Sequence, residues 1–232
     1  MKTIGFIGGM SWESSLEYYR LANEMVKEKL GEPHSARIVM YSVDFAEFKQ
    51  LQHNDNWDQL TARMINIAGK LEKAGAEMIV ICANTMHLMA ENIEQKTNIP
   101  LIHIADAAAE AIKADKITTA GLLGTRFTME KDFYKQRLED KFNIEVVTPK
   151  LQSRKIIHEI IYEELISGVI RDKSRDKLKK IIAELRRNKN TEGIILGCTE
   201  LPMLTGEMEP GIPLYDTTRL HVKKAVNLAL KE

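Results

Sequence analysis

The chain has 232 residues, 44% hydrophobic and 28% charged, with acids and bases balanced at 33 each. That length allows one large or two small domains with a full core, and a neutral chain without a basic block gives no ground for expecting nucleic acid or an anionic membrane as partner. No stretch approaches the roughly 20 apolar residues of a membrane span. The two distant cysteines, Cys82 and Cys198, do not suit a disulfide framework and point to free thiols in a reducing cytoplasm. With no CxxC, no HExxH and no clustered His/Cys set, no metal is expected.

In chain order, residues 3–9 read as a buried strand ending in glycines. Trp12 and Glu13 follow too soon for a signal-peptide core. Residues 13–30 read as a helix with Leu16, Tyr19, Met25, Val26 and Leu30 as its apolar positions. Strand 36–43, helix 57–74 ending at Gly75, and strand 77–83 follow, then a helix through about residue 96 and a fourth strand at 101–104. The pattern then restarts: strand 118–124, helix 130–141, strand 144–147, a long helical stretch 152–189 broken near Gly168, strand 193–197, strand 214–216 and a last helix at 217–231. Continuously apolar strands separated by helices indicate mostly parallel sheets covered on both faces.

The restart is an internal repeat. Thr3-Ile4-Gly5-Phe6-Ile7-Gly8 matches Thr119-Ala120-Gly121-Leu122-Leu123-Gly124 at an offset of 116 residues. Glu77 to Ile81 matches Glu192 to Leu196 at 115, and Ile99-Pro100-Leu101 matches Ile212-Pro213-Leu214 at 113. Ligands of open parallel sheets bind beyond the carboxyl ends of the strands. The segments there are 8–15, 83–87, 124–128 and 197–200, and two sheets facing each other would place them around one cleft.

Cys198 stands just after a strand, beside polar Thr199 and Glu200 where a core would continue apolar. Backbone N–H groups at such a tip can lower a thiol's pKa; the alternative is a buried cysteine acting as a small hydrophobe. The repeat offset makes Ala83, not Cys82, the counterpart of Cys198, and alternation along a strand turns Cys82 to the opposite face. Asn84 and Thr85 can cap a helix or hold a carboxylate. Thr125, Arg126 and Thr128 offer the same mixture plus a guanidinium suited to carboxylates. His87 reads as a satisfied helix histidine. The Gly8-Gly9-Met10-Ser11 run lacks both common nucleotide fingerprints.

Four motifs carry a resemblance over essentially the whole length: Ile4 to Ser14, Asn84-Thr85-Met86-His87, Leu122 to Met129, and Gly197-Cys198-Thr199-Glu200. With them the chain resembles the aspartate/glutamate racemases that work without pyridoxal phosphate, and is most similar to the branch specific for L-aspartate and L-glutamate. The resemblance implies an α/β fold of two pseudosymmetric domains, each a mostly parallel four-stranded sheet flanked by helices, with the active site at the domain interface. The domains are expected over 1–104 plus 210–232 and over 105–209. It implies a homodimer acting on a small amino acid without a cofactor, through two cysteines serving opposite faces of the α-carbon.

By position, Cys198 matches the second of those cysteines. Asn84, Thr85, Thr125 and Thr199 match residues that bind substrate carboxylates; Met10, Ser11, Gln52, Arg126 and Thr128 match residues around the pocket. The first cysteine's position is Ala83, and a lysine present in some aspartate racemases is replaced by Ile166. Cys198 acting alone on one face, Cys82 swinging into place, and single-cysteine chemistry such as that of arylmalonate decarboxylase all remain open. So does a non-catalytic binder of acidic amino acids.

Overall fold

In a computed structural model of the chain, describing residues 1–206, 208 and 210–231 (the side chains of Asn188 and Lys189 excepted), the apolar runs form two parallel sheets. By contact the chain divides into two units: residues 1–103 with 221–232, and residues 104–220.

The first unit contains β1 (Ile4–Gly8), α1 (Trp12–Leu30), β2 (Ile38–Ser42), α2 (Phe45–His53), α3 (Trp57–Lys73), β3 (Met78–Ile81), a 3-10 turn (Thr85–Met89) and α4 (Ala90–Glu94). Its strand order is β2-β1-β3, all parallel. Side-chain alternation splits β3 between two cores. Met78, Val80 and Cys82 pack with Phe6, Tyr18 and Val26, whereas Ile79, Ile81 and Ala83 pack with Met64, Leu71 and Met86.

The second unit contains α5 (Ile104–Ala114), β4 (Thr119–Gly124), α6 (Arg126–Glu130), α7 (Asp132–Phe142), β5 (Glu145–Val147), α8 (Leu151–Glu163), α9 (Asp172–Lys189), β6 (Gly193–Gly197), α10 (Leu201–Thr205) and β7 (Leu214–Asp216). Its parallel order is β5-β4-β6-β7. The chain crosses back to the first unit within α11 (Thr217–Leu230). Ile194, Leu196 and Cys198 share one core with α8 and α9, and Ile195 faces the other.

The repeat extends to matching hydrogen bonds. The Glu77 carboxylate accepts from the Thr3 N–H at 2.7 Å, and that of Glu192 accepts from the N–H groups of Thr118 and Thr119 at 3.0 Å. Ile79 N–H donates to the Pro100 carbonyl and Ile194 N–H to the Pro213 carbonyl, each at 2.9 Å. The halves diverge next. Leu214 opens a three-residue strand, but Leu101 makes a single bridge to Ile79 before α5 begins at Ile104. The first sheet therefore has three strands and a stub rather than the expected four.

Other expectations shift as well. Residues 210–220, expected in the first domain, belong to the second unit, because β7 pairs with β6; Glu207, Glu209 and Glu232 of the expected ranges lie outside the described residues. Helices α2, α5, α6 and α10 lie where the sequence pattern predicts no helix. On α1 the buried face is Tyr18, Leu21, Ala22, Met25 and Val26, while Leu16, Tyr19 and Leu30 are exposed. The periodicity was right, but its phase moved because the two tyrosines, adjacent in sequence, face opposite ways.

Candidate functional site

In the second unit β4 and β6 end side by side, with Gly124 opposite Gly197. No side chain fits at this approach. A Cβ on Gly124 would stand 2.7 Å from the Gly197 carbonyl oxygen, and one on Gly197 would stand 2.8 Å from that of Leu123. The two glycines thus let the following loops begin in contact.

The first loop carries Thr125, whose hydroxyl accepts from the Thr128 N–H at 3.3 Å and caps α6. The hydroxyls of Thr125 and Thr128 stand 3.2 Å apart. Arg126 is exposed, its guanidinium 5.3 Å from the Phe127 ring centre. Its backbone N–H donates to His158 Nδ1 at 3.3 Å.

The second loop carries Cys198, 8% exposed. Its thiol donates to Glu200 Oε2 at 2.9 Å, and the Thr199 hydroxyl donates to the same oxygen at 2.7 Å. Of the two readings open to Cys198, a thiol drawn toward thiolate by backbone amides and a buried cysteine, the resting structure fits the second. Burial first, then the Glu200 charge and its hydrogen bond from the protonated thiol, push the Cys198 pKa well up; the backbone amides of Glu200 and Thr199 pull down but do not prevail. Cys198 is therefore a thiol with a carboxylate in hydrogen-bond reach, a pair able to pass one proton between them.

In the first unit the β3 tip has the same backbone and different chemistry. Ala83 takes the parity of Cys198, and Cys82 points into the opposite core, fully buried, with burial raising its pKa. The Cys82 carbonyl accepts the Ser14 hydroxyl at 2.9 Å, and its N–H donates to the Ile7 carbonyl at 2.9 Å. Cys82 is held in the regular register of the strand, without a bulge that would turn it round.

Asn84 and Thr85 are buried at the head of the 3-10 turn, and the Asn84 side chain makes no capping bond there. Behind them lies a histidine cluster. His87 Nδ1 sits 2.9 Å from the Ala83 carbonyl, an acceptor, so this nitrogen carries the proton. His221 Nε2 likewise donates to the Ile102 carbonyl at 2.6 Å, which leaves Nδ1 to accept the Tyr18 hydroxyl at 2.9 Å. The His87 ring centre lies 4.7 Å from that of His103 and 5.4 Å from that of His221. His87 is a satisfied structural histidine, as its place in the sequence suggested.

Ser11 caps α1 by accepting from the Ser14 N–H at 3.3 Å, and Ser15 links the turn by accepting from the Gly9 N–H at 2.7 Å. Gly9 has φ +89°, and a Cβ there would run into the Val43 backbone. Met10 packs in the core that holds Ala83 and Met86. Gln52, on α2, directs Nε2 toward Met86 Sδ at 4.0 Å, and its buried Oε1 has no hydrogen-bond partner among the described residues.

The first unit thus gathers Met10, Gln52 and Ala83 around one core, and the second gathers Thr125, Arg126, Thr128, Cys198 and Thr199 at two adjacent strand ends. The sequence reading passed over Glu200 as a functional residue, although its place two residues after Cys198 within a quoted motif was the available signal.

A family model described as Asp/Glu/Hydantoin racemase matches residues 7–225. The chain belongs to this family. It is similar in structure to a provisionally named Asp/Glu racemase from Yersinia pestis (48% identity, TM-score 0.93) and to an aspartate racemase homologue from Pyrococcus horikoshii OT3 (37% identity, TM-score 0.85), each covering 100% of both chains. It is also 25% identical to the glutamate racemase of Actinobacillus pleuropneumoniae serotype 5b (strain L20) over 176 residues, 75% of this chain. The match spans 64% of that relative's length.

Proposed function

We propose that this member of the racemase family is a cofactor-independent amino-acid racemase acting on aspartate, glutamate or a similar amino acid, with Cys198 as acid/base. The observation that carries the reading is the Cys198 thiol at a strand tip, 2.9 Å from the buried Glu200 carboxylate. Glu200 accepts the thiol proton, and the resulting thiolate takes the substrate's α-proton. The C–H electron pair stays on the substrate as an enolate-like anion. Short donors at Asn84, Thr85, Thr125 and Thr199 hold the carboxylate on which that charge develops, which is electrostatic stabilisation of the oxyanion type. Met10, Ser11, Gln52, Arg126 and Thr128 shape the pocket. Ala83 has no proton to give, so return to the opposite face falls to water or another pocket group, and racemisation is slow or one-sided.

The burial of Cys82 in the opposite core specifically favours a second reading: one-thiol chemistry in which Cys198 protonates an enolate left by departing carbon dioxide. The racemase reading also carries with it a homodimer and a cytoplasmic setting; two free, buried cysteines are consistent with the latter. No helix among the described residues is long and apolar enough to cross a membrane.

The test is proton NMR of the full chain in deuterated water with each enantiomer of aspartate and glutamate. The expected result is loss of the α-proton signal, followed by inversion. Carbon dioxide release from a substituted malonate without any such exchange would replace this reading with the second one.

A further inference from the structure

Helix α1 is apolar on two faces, and only one of them is covered. Tyr18, Leu21, Ala22, Met25 and Val26 bury the first. Trp12, Leu16, Tyr19 and Leu30 stand 65%, 58%, 50% and 45% exposed, four of the nine large hydrophobic side chains exposed among the described residues. At about 100° per residue these four fall within about 60° of one another, in a single stripe about 27 Å long. Apolar residues scattered singly over a surface are ordinary, whereas a contiguous line of them marks an interaction surface.

Beside the stripe runs a row of exposed charges in the order Glu17, Arg20, Glu24, Lys27. The signs alternate: minus, plus, minus, plus. Read from the other end the row is plus, minus, plus, minus, so a second copy laid antiparallel meets every charge with its opposite. A copy laid parallel meets each charge with its like. The helix carries Glu13, Glu17, Glu24 and Glu28 against Arg20, Lys27 and Lys29, and so lacks the basic flank by which an amphipathic helix holds an anionic membrane.

We propose that α1 forms the interface of a homodimer, lying antiparallel on α1 of a second copy about a two-fold axis near residue 22. The midpoint of the apolar stripe, between Trp12 and Leu30, falls at residue 21, so the apolar and charged rows share one axis. Trp12 of one protomer packs toward Leu30 of its partner, Glu17 meets Lys27, and Arg20 meets Glu24. Antiparallel helices also bring opposite dipole ends together. Asn23, on the stripe beside the axis, enters the contact with both ends of its amide engaged: it donates to the Tyr19 carbonyl at 2.8 Å and accepts the Ala36 N–H at 3.0 Å. The proposal gives a surface to the homodimer that the racemase reading carries, but it stands on α1 and not on the chemistry.

The test is sedimentation velocity of the full chain over about a hundredfold range of concentration. Wild type is compared with Leu16→Glu, Glu17→Lys, Lys27→Glu and the last two combined. Wild type should reach twice the mass of the chain. Leu16→Glu should raise the dimer Kd at least about 30-fold, the cost of losing an interface anchor. Its circular dichroism should hold, because Leu16 is exposed in the protomer. Glu17→Lys and Lys27→Glu should each raise the Kd about 10-fold, and together they should return it to within about 3-fold of wild type. Wild type that stays monomeric overturns the proposal, as does a dimer that Leu16→Glu leaves intact. Monomers that sediment with phosphatidylserine vesicles overturn it in favour of a lipid surface. A combined variant no tighter than the single ones overturns the antiparallel pairing. Exchange at the α-carbon is a separate measurement, so failure of the racemase reading and failure of this interface are told apart.

Discussion

The tips of β3 and β6 are matching pieces of backbone that carry different side chains, Cys82-Ala83-Asn84-Thr85 at one and Gly197-Cys198-Thr199-Glu200 at the other. Both follow a parallel strand paired on one side with the unit's first strand, and both lead into a short helical turn. At β6 the inward position holds a thiol beside a carboxylate; at β3 it holds a methyl group beside a pinned carbonyl. The cysteine of the first tip sits one residue earlier, and because strand side chains alternate, that single step moves it to the other side of the sheet. Duplication conserves backbone geometry readily, whereas chemistry depends on parity.

Removing the thiol of the second tip should have the largest effect. Cys198→Ala is expected to lower α-proton exchange by about 10²- to 10⁴-fold, the usual worth of a positioned acid or base; exchange at the wild-type rate would strip the β6 tip of its role. Glu200→Gln should cost about 10²-fold in the same assay. It should also shift thiol alkylation by iodoacetamide to lower pH, because the carboxylate that raises the Cys198 pKa is gone. An unmoved alkylation profile would mean that Glu200 does not govern the thiol.

Ala83→Cys equalises the tips, and inversion should rise about 10-fold or more as the opposite face gains a proton donor. The control is Cys82→Ala, expected to leave exchange unchanged and to destabilise the fold by about 1 kcal/mol in denaturant melts. Loss of exchange in that variant would instead bring Cys82 into the chemistry.

The smallest effect concerns the histidines behind the first tip. Burial holds His221 well below its ordinary value of 6.5, so the unfolded chain takes up a proton that the folded chain refuses. Its contribution is intact above pH 6.5 and is lost as pH falls below that value, by up to about 1.4 kcal/mol per pH unit. Thermal melts from pH 7.5 to 5 should show a decline in wild type that is shallower in His221→Gln.

Most of the candidate site was legible because it depends on local order. Cys198, Thr125 and Arg126 follow glycines that end apolar runs, and the opposite facing of Cys82 and Ala83 followed from counting residues. Glu200 was visible but undervalued, since a carboxylate in a loop is usually solvated, and only its burial at 6% exposure makes it a partner for the thiol.

The sequence alone determined the parallel α/β alternation, the duplication and the strand tips at which polar residues interrupt apolar runs. These are consequences of periodicity and spacing, carried by neighbours along the chain. The tertiary structure decided what depends on distant neighbours. It showed that Leu214–Asp216 pairs with β6 and that Leu101 forms only a bridge. It also showed that α1 buries Tyr18 rather than Tyr19, and that Cys198 rests as a thiol. Sheet partners, the phase of a helix face and the protonation of a buried group are set by contacts between segments far apart in the chain, and packing energy and desolvation arise only once those segments meet.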